Sequence, residues 1–183
     1  MKKAVLFLAD GHEEVEAMTP LDLLRRAGVQ VTTASVEGRK TVTGAHQIRI
    51  EADALIEEVD LDAADALILP GGMPGTKHEQ NCEILRKAVV KAFREGRIVA
   101  AICAAPSIFG DLGIVKGKKV TSYPGFEEVL SDATYLTDRV VSDGNMITSR
   151  GMGTAFDFGL TLVEKLTDRE TVEKLADGTM YTA

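Results

Sequence analysis

Short, uninterrupted apolar runs, each followed by a longer amphipathic segment, recur along this chain and limit its fold more than any other feature. Ala4-Val5-Leu6-Phe7-Leu8-Ala9, Ala66-Leu67-Ile68-Leu69 and Ile98-Val99-Ala100-Ala101-Ile102 contain no polar residue. A strand covered on one face alternates apolar with polar, so a continuous run predicts a strand buried on both faces, as in a parallel sheet between helical layers. Val29–Ala34, rich in β-branched residues, is a fourth candidate. Between the runs, Ile84, Leu85, Ala88, Val89, Ala92 and Phe93 recur at helical spacing, with Gly96 placed to stop the helix. Glu14–Ala27 reads as a helix ended by Gly28, and Pro20 inside it predicts a kink or a late start. Ala155, Phe156, Phe158, Leu162, Val163 and Leu166 mark a third helix, followed by a shorter one from about Asp168 to Ala176. Thr41–Ile50, and the pair Val140-Val141 and Met146-Ile147 around Asp143-Gly144-Asn145, read as antiparallel hairpins. No Pro- or Ser-rich linker interrupts the pattern. The expectation is one α/β domain over residues 1–183, a sandwich with a mostly parallel central sheet and helices on both faces.

Composition removes several classes of function. The chain has 183 residues, enough for a two-sided core, and 21 Lys+Arg against 28 Asp+Glu, a net charge of −7. A nucleic-acid partner rewards a basic stripe, and none is present. Two cysteines cannot build a disulfide framework or a zinc ribbon. The apolar run after Met1-Lys2-Lys3 ends at Asp10-Gly11, too early for a signal peptide, and no stretch approaches the roughly 20 apolar residues of a membrane helix. No membrane association is expected, and the location is expected to be cytoplasmic.

In an open α/β sheet, ligands bind beyond the carboxyl ends of the strands. That directs attention to the loops at residues 10–16, 70–76 and 103–107. Cys103 ends the run Ile98–Ile102 and precedes Ala104-Ala105-Pro106-Ser107, which opens a helix with Pro106 in its first turn. A thiol there has two readings: a nucleophile whose thiolate is favoured by a helix N-terminus, or a buried structural cysteine. Pro70-Gly71-Gly72-Met73-Pro74-Gly75 lacks the phosphate-binding fingerprints, and either forms a tight turn or offers backbone N–H groups as an oxyanion pocket. Gly11-His12-Glu13-Glu14-Val15-Glu16 reads as a solvated helix start for Glu13 and Glu14, whereas Glu16, pointing inward, would lie near the neighbouring strand ends. A His-plus-carboxylate metal site there lacks a second His cluster, and no metal or other cofactor is expected.

The histidines are His12, His46 and His78, all upstream of Cys103. A Cys-His-Glu amidase of the glutamine-amidotransferase kind needs a His downstream, and no Ser occupies a G-x-S-x-G elbow. Cys82 lies near a helix start and forms no C-x-x-C with Cys103.

Five stretches resemble the ThiJ/PfpI superfamily, and within it the DJ-one-like clade: residues 8–16 (Leu-Ala-Asp-Gly-His-Glu-Glu-Val-Glu), 24–29 (Leu-Arg-Arg-Ala-Gly-Val), 69–72 (Leu-Pro-Gly-Gly), 100–106 (Ala-Ala-Ile-Cys-Ala-Ala-Pro) and 148–158 (Thr-Ser-Arg-Gly-Met-Gly-Thr-Ala-Phe-Asp-Phe). The resemblance implies a flavodoxin-like sandwich and a homodimer. It implies Cys103 as nucleophile, Glu16 as the carboxyl hydrogen-bonded to it, and the N–H groups of Gly72 and Ala104 as an oxyanion pocket. It places Arg150 and Gly151-Met152-Gly153 near the active-site loops or the dimer contact, where a plain helix-entry turn is the alternative. Arg26 is open between a dimer ion pair and a dipole cap of its own helix. Where many members carry His before Pro, this chain has Tyr123-Pro124; a phenol is a poor base at neutral pH, which disfavours a Cys–His dyad and peptidase chemistry and leaves Glu16 as the acid/base candidate. The implied activity is that of a cofactor-independent glyoxalase or deglycase acting on small dicarbonyls, such as methylglyoxal, or on their early adducts. In that chemistry Glu16, raised in pKa, is expected to be protonated at rest. The alternative is a redox-sensing or protective protein whose Cys103 oxidises to the sulfinic acid.

Overall fold

The computed structural model, which describes residues 1–182, contains eleven strands and six α-helices. The strands are β1 (Lys3–Leu8), β2 (Gln30–Ser35), β3 (Thr41–Thr43), β4 (Arg49–Glu51), β5 (Ala54–Leu55), β6 (Ala66–Leu69), β7 (Ile98–Ile102), β8 (Lys119–Val120), β9 (Thr134–Tyr135), β10 (Val140–Asp143) and β11 (Met146–Ser149). The helices are α1 (Glu14–Arg26), α2 (Gly75–Asn81), α3 (Glu83–Arg94), α4 (Pro106–Asp111), α5 (Ala155–Leu166) and α6 (Arg169–Gly178).

The central sheet has seven strands in the order β10-β11-β7-β6-β1-β2-β5. All neighbours run parallel except β10, which turns back along β11. Chain order explains the continuous apolar runs. Leu6 and Leu8 of β1 face a core completed by Leu23 and Leu24 of α1 and Phe158 and Leu162 of α5. Val5 and Phe7, pointing the other way, face Leu85 and Val89 of α3 and Phe109 of α4. Each such side chain, fully buried, stabilises the fold by about 1.5–3 kcal/mol. A Cβ on Gly159 of α5 would lie 2.6 Å from Leu23 Cδ1, so α1 and α5 pack through a glycine notch.

Both expected hairpins form, β3 with β4 and β10 with β11. Pro20 does not delay α1, which already starts at Glu14. Helix α2 carries Lys77, His78 and Gln80 with no apolar stripe and has no signature in the sequence pattern. Among the described residues no helix is long and apolar enough to cross a membrane.

The topology locates the crevice. The chain leaves β1 for β2 on one side and later returns to β6 on the other, so the order reverses between β1 and β6. Loops leaving the carboxyl ends of adjacent strands diverge at such a point and leave a space for a ligand. Glu16 follows β1, Gly71 and Gly72 follow β6, and Cys103 follows the next strand, β7.

Candidate active site

Cys103 sits on a sharp turn with φ +65, a left-handed conformation that costs a non-glycine residue of order 1–3 kcal/mol. The surrounding ladder holds it there. Its N–H donates to the Ser149 carbonyl at 2.9 Å, and its own carbonyl accepts from the Tyr123 N–H at 2.8 Å. The turn ends β7 and aims the thiol into the crevice instead of along the sheet.

Glu16 lies in the first turn of α1 with 1% of its surface exposed. Its Oε2 accepts from the Gly71 N–H at 3.0 Å, and the Cys103 thiol and the Met152 N–H face the same carboxyl and favour its charged form. Burial dominates its chemistry and pushes its pKa up to about 7; Glu13 nearby adds to the rise, while Cys103 and the two N–H groups oppose it. The close packing requires glycine at position 71, where a Cβ would lie 2.6 Å from both the Cys103 Cβ and Glu16 Oε2. Gly72 has φ +91, and a Cβ there would lie 2.3 Å from the Glu13 nitrogen.

The thiol corrects one expectation. A helix N-terminus was expected to lower its pKa, yet burial and the Glu16 carboxylate push it up to about 12. Helix α4 is a single short segment that starts only at Pro106, too far and too brief to offset the loss of water. The groups that do favour a thiolate are the N–H of Gly72 and the N–H of Ala104. Glu16 correspondingly is not fully protonated at neutral pH. Above about pH 7 the pair carries one negative charge, and a single proton lies between sulfur and carboxyl.

The four residues expected at the site, Cys103, Glu16, Gly72 and Ala104, therefore converge. Two backbone donors, the N–H groups of Gly71 and Met152, escaped sequence reasoning because an N–H carries no residue signature. Tyr123 stands at the rim with Met152, both exposed, beside Gly151. A Cβ on Gly151 would lie 3.5 Å from the Tyr123 ring and 3.8 Å from Glu16 Oε1.

The other candidates lie elsewhere. Arg26 pairs with Asp22 one turn earlier on α1. His12 is buried, its Nδ1 2.8 Å from the Ala9 carbonyl, and pins the β1–α1 loop. His46 comes from the β3–β4 turn, so that Glu13, Glu14 and His46 bring ligand atoms within 4.8 Å of one another. Glu14 already accepts from the His46 N–H at 2.7 Å and meets its Nδ1 at 2.9 Å, which holds His46 above the usual histidine range. The cluster is an ion pair that fastens the hairpin over α1.

Fold and site together define an α/β sandwich protein whose half-buried cysteine, on a strand-to-helix turn, is coupled to a buried carboxyl across the strand ends. The chain belongs to the DJ-1/PfpI family, whose profile matches residues 2–165. It is 44% identical over 171 residues to the Arabidopsis thaliana protein DJ-1 homolog B, covering 92% of this chain and 39% of the relative. It thus spans well under half the length of that plant relative. Over 156 residues, 82% of this chain and 91% of the relative, it is 36% identical to a Pyrococcus abyssi protein named as a deglycase. The solved structure of oxidized Toxoplasma gondii DJ-1 superimposes with a TM-score of 0.96 at 32% identity, covering 100% of both chains. The flavodoxin-like sandwich follows from these neighbours and from the strand order.

Proposed function

We propose that the protein is a cofactor-independent, cysteine-dependent enzyme that converts small dicarbonyls, methylglyoxal among them, or their early adducts, to 2-hydroxy acids. The observation that carries this reading is the buried Glu16 carboxyl bonded to Cys103, with the N–H groups of Gly72 and Ala104 directed at the sulfur. The name of the Pyrococcus relative supports the substrate class.

The Glu16 carboxylate takes the thiol proton as sulfur attacks the aldehyde carbon, C1. The C1 oxygen, negative as the bond forms, is held by the two N–H groups and takes the proton back from Glu16, giving a hemithioacetal. One such donor is worth about 3–4 kcal/mol at the transition state. Glu16 next removes the C1 hydrogen as a proton, forming an enediolate, and after exchange with solvent delivers a proton to C2 while the C1 hydroxyl proton passes to the C2 oxygen. The product is a thioester of the 2-hydroxy acid. Water cleaves its C–S bond, releasing lactate and restoring the thiol. A homodimer in the cytoplasm belongs to this reading; Val15 and Ile48 are exposed apolar residues on α1 and the hairpin that Glu14 joins.

The test is lactate formation from methylglyoxal without glutathione. Wild type is expected to form it and Cys103→Ala to fall to background; full turnover by Cys103→Ala would remove the nucleophile assignment. A second reading, a redox sensor, has its own support in the Toxoplasma relative, whose solved structure is that of an oxidized protein. Mild peroxide should then add two oxygens to Cys103 and spare Cys82, seen by peptide mass spectrometry; equal oxidation of both speaks against it.

A further inference from the structure

We propose that Arg139, acting with Asp157 and Tyr181, is a positioning residue that holds the Gly151–Thr154 turn against Glu16 and so sets how Glu16 keeps and releases its proton. The inference rests on the reading of Glu16 as the acid/base. It concerns a side chain at the sheet edge that touches neither the thiol nor the carboxyl.

The Met152 N–H that faces Glu16 belongs to a turn with little packing of its own, and Met152 and Gly153 are exposed. Thr154 closes the turn on the Gly151 carbonyl through its N–H at 2.8 Å and its Oγ1 at 2.9 Å, and the rest of the anchoring comes from outside it. Arg139, at the entry to β10, donates from Nη2 to the Gly153 carbonyl at 2.8 Å and from Nε to Asp157 Oδ2 at 2.8 Å. Its backbone carbonyl accepts from Ser149 Oγ at 2.8 Å and from the Arg150 N–H at 3.3 Å. Ser149 Oγ lies 2.7 Å from Thr154 Oγ1, which accepts from the Gly151 N–H at 3.1 Å. One arginine thus grips the turn at its start through the backbone and at its end through the guanidinium.

The guanidinium is itself aimed. The Tyr181 hydroxyl donates to the other oxygen of Asp157, and the Tyr181 ring stacks on Phe156 at 4.3 Å between centroids and 15° between planes. The C-terminal segment therefore fastens Asp157, Asp157 orients Arg139, and Arg139 fixes the carbonyl one residue beyond the Met152 donor. A planar fork is required: a point charge reaches Asp157 or the carbonyl, not both in fixed geometry. Glu16 is also faced by Cys103 from β7, by Glu13 from the start of α1 and by Tyr123 across Gly151. None of these contacts runs through Arg139, so its removal isolates the Met152 donor.

An N–H donor favours the carboxylate, so loosening the turn should raise the pH at which the Cys103–Glu16 pair loses its first proton. The readout is the rate of Cys103 alkylation by iodoacetamide against pH, which needs no dicarbonyl. For Arg139→Met the midpoint is expected to rise by about half to one unit, moving the whole alkylation profile toward higher pH. Arg139→Lys should fall between Met and wild type. Tyr181→Phe, which keeps the stack and loses only the hydroxyl, should shift the midpoint in the same direction and cover the case in which Arg139→Met folds poorly. Midpoints equal to wild type in folded Arg139→Met and Tyr181→Phe would overturn the proposal. The two readings fail separately: absence of lactate formation by wild type removes the dicarbonyl substrate, whereas unmoved alkylation midpoints remove the positioning role whatever the turnover.

Discussion

Glu16→Gln is expected to lower kcat for methylglyoxal by about 10²–10⁴-fold, with KM nearly unchanged. Glutamine preserves the shape of the buried side chain, and its amide oxygen can still accept from the Gly71 N–H that now holds Glu16. What it cannot do is take the thiol proton or carry a hydrogen from C1 to C2. The pH profile should change with the rate. Burial holds Glu16 near pH 7, so wild-type kcat/KM should rise through about pH 7 as the pair sheds its first proton, then level off. In Glu16→Gln that limb should vanish. Stability gives the control, because removing a buried ionisable group should leave the thermal midpoint unchanged or higher. A variant that keeps the limb, or loses activity only by unfolding, contradicts the role given to Glu16.

The second large effect concerns stability. Glu79 on α2 is 1% exposed, and among the described residues neither carboxyl oxygen has a hydrogen-bond partner. Burial alone raises its pKa well above the ordinary value. The folded state therefore keeps a proton that the unfolded chain releases above about pH 4.5. Stability falls as pH rises from there to the folded pKa, by up to about 1.4 kcal/mol per unit. Glu79→Leu removes both the unpaired carboxyl and its titration. It is expected to stabilise the protein by about 1–3 kcal/mol at pH 7, or some 2–4 °C per kcal/mol for a chain of this size. Urea unfolding at pH 5 and pH 8 gives the check. Glu16 and His46 titrate in the same direction over part of this range, so the difference between Glu79→Leu and wild type is the quantity to follow. It should grow with pH. A destabilised Glu79→Leu, or a difference independent of pH, contradicts the assignment.

These two carboxylates mark how far sequence reasoning carries. The sheet was legible because the buried stretches of β1, β6 and β7 are unbroken apolar runs. The convergence of Glu16, Gly72 and Cys103 was legible because loops after such strands meet at one edge of the sheet. Helix α2 was not, since its packing uses Gly75, Thr76 and an unpaired glutamate instead of an apolar stripe. Nor was the state of the thiol. Sequence proximity suggested a helix dipole acting on Cys103, whereas burial and the Glu16 carboxylate, supplied by a segment distant in the chain, decide the direction. The Met152 donor and the Arg139 anchor depend on backbone groups and on a C-terminal tyrosine, which no local pattern connects.

Covalent attack by Cys103 and proton transfer through Glu16 are the two steps on which the proposed chemistry stands, and one measurement addresses both: the lactate formed from methylglyoxal in D2O without glutathione. A carboxyl open to exchange between its two transfers predicts deuterium at C2 in the wild-type product and no lactate above background from Cys103→Ala. Lactate that keeps protium at C2, the mark of a direct 1,2-hydride shift, or lactate formed at the wild-type rate by Cys103→Ala, would contradict it.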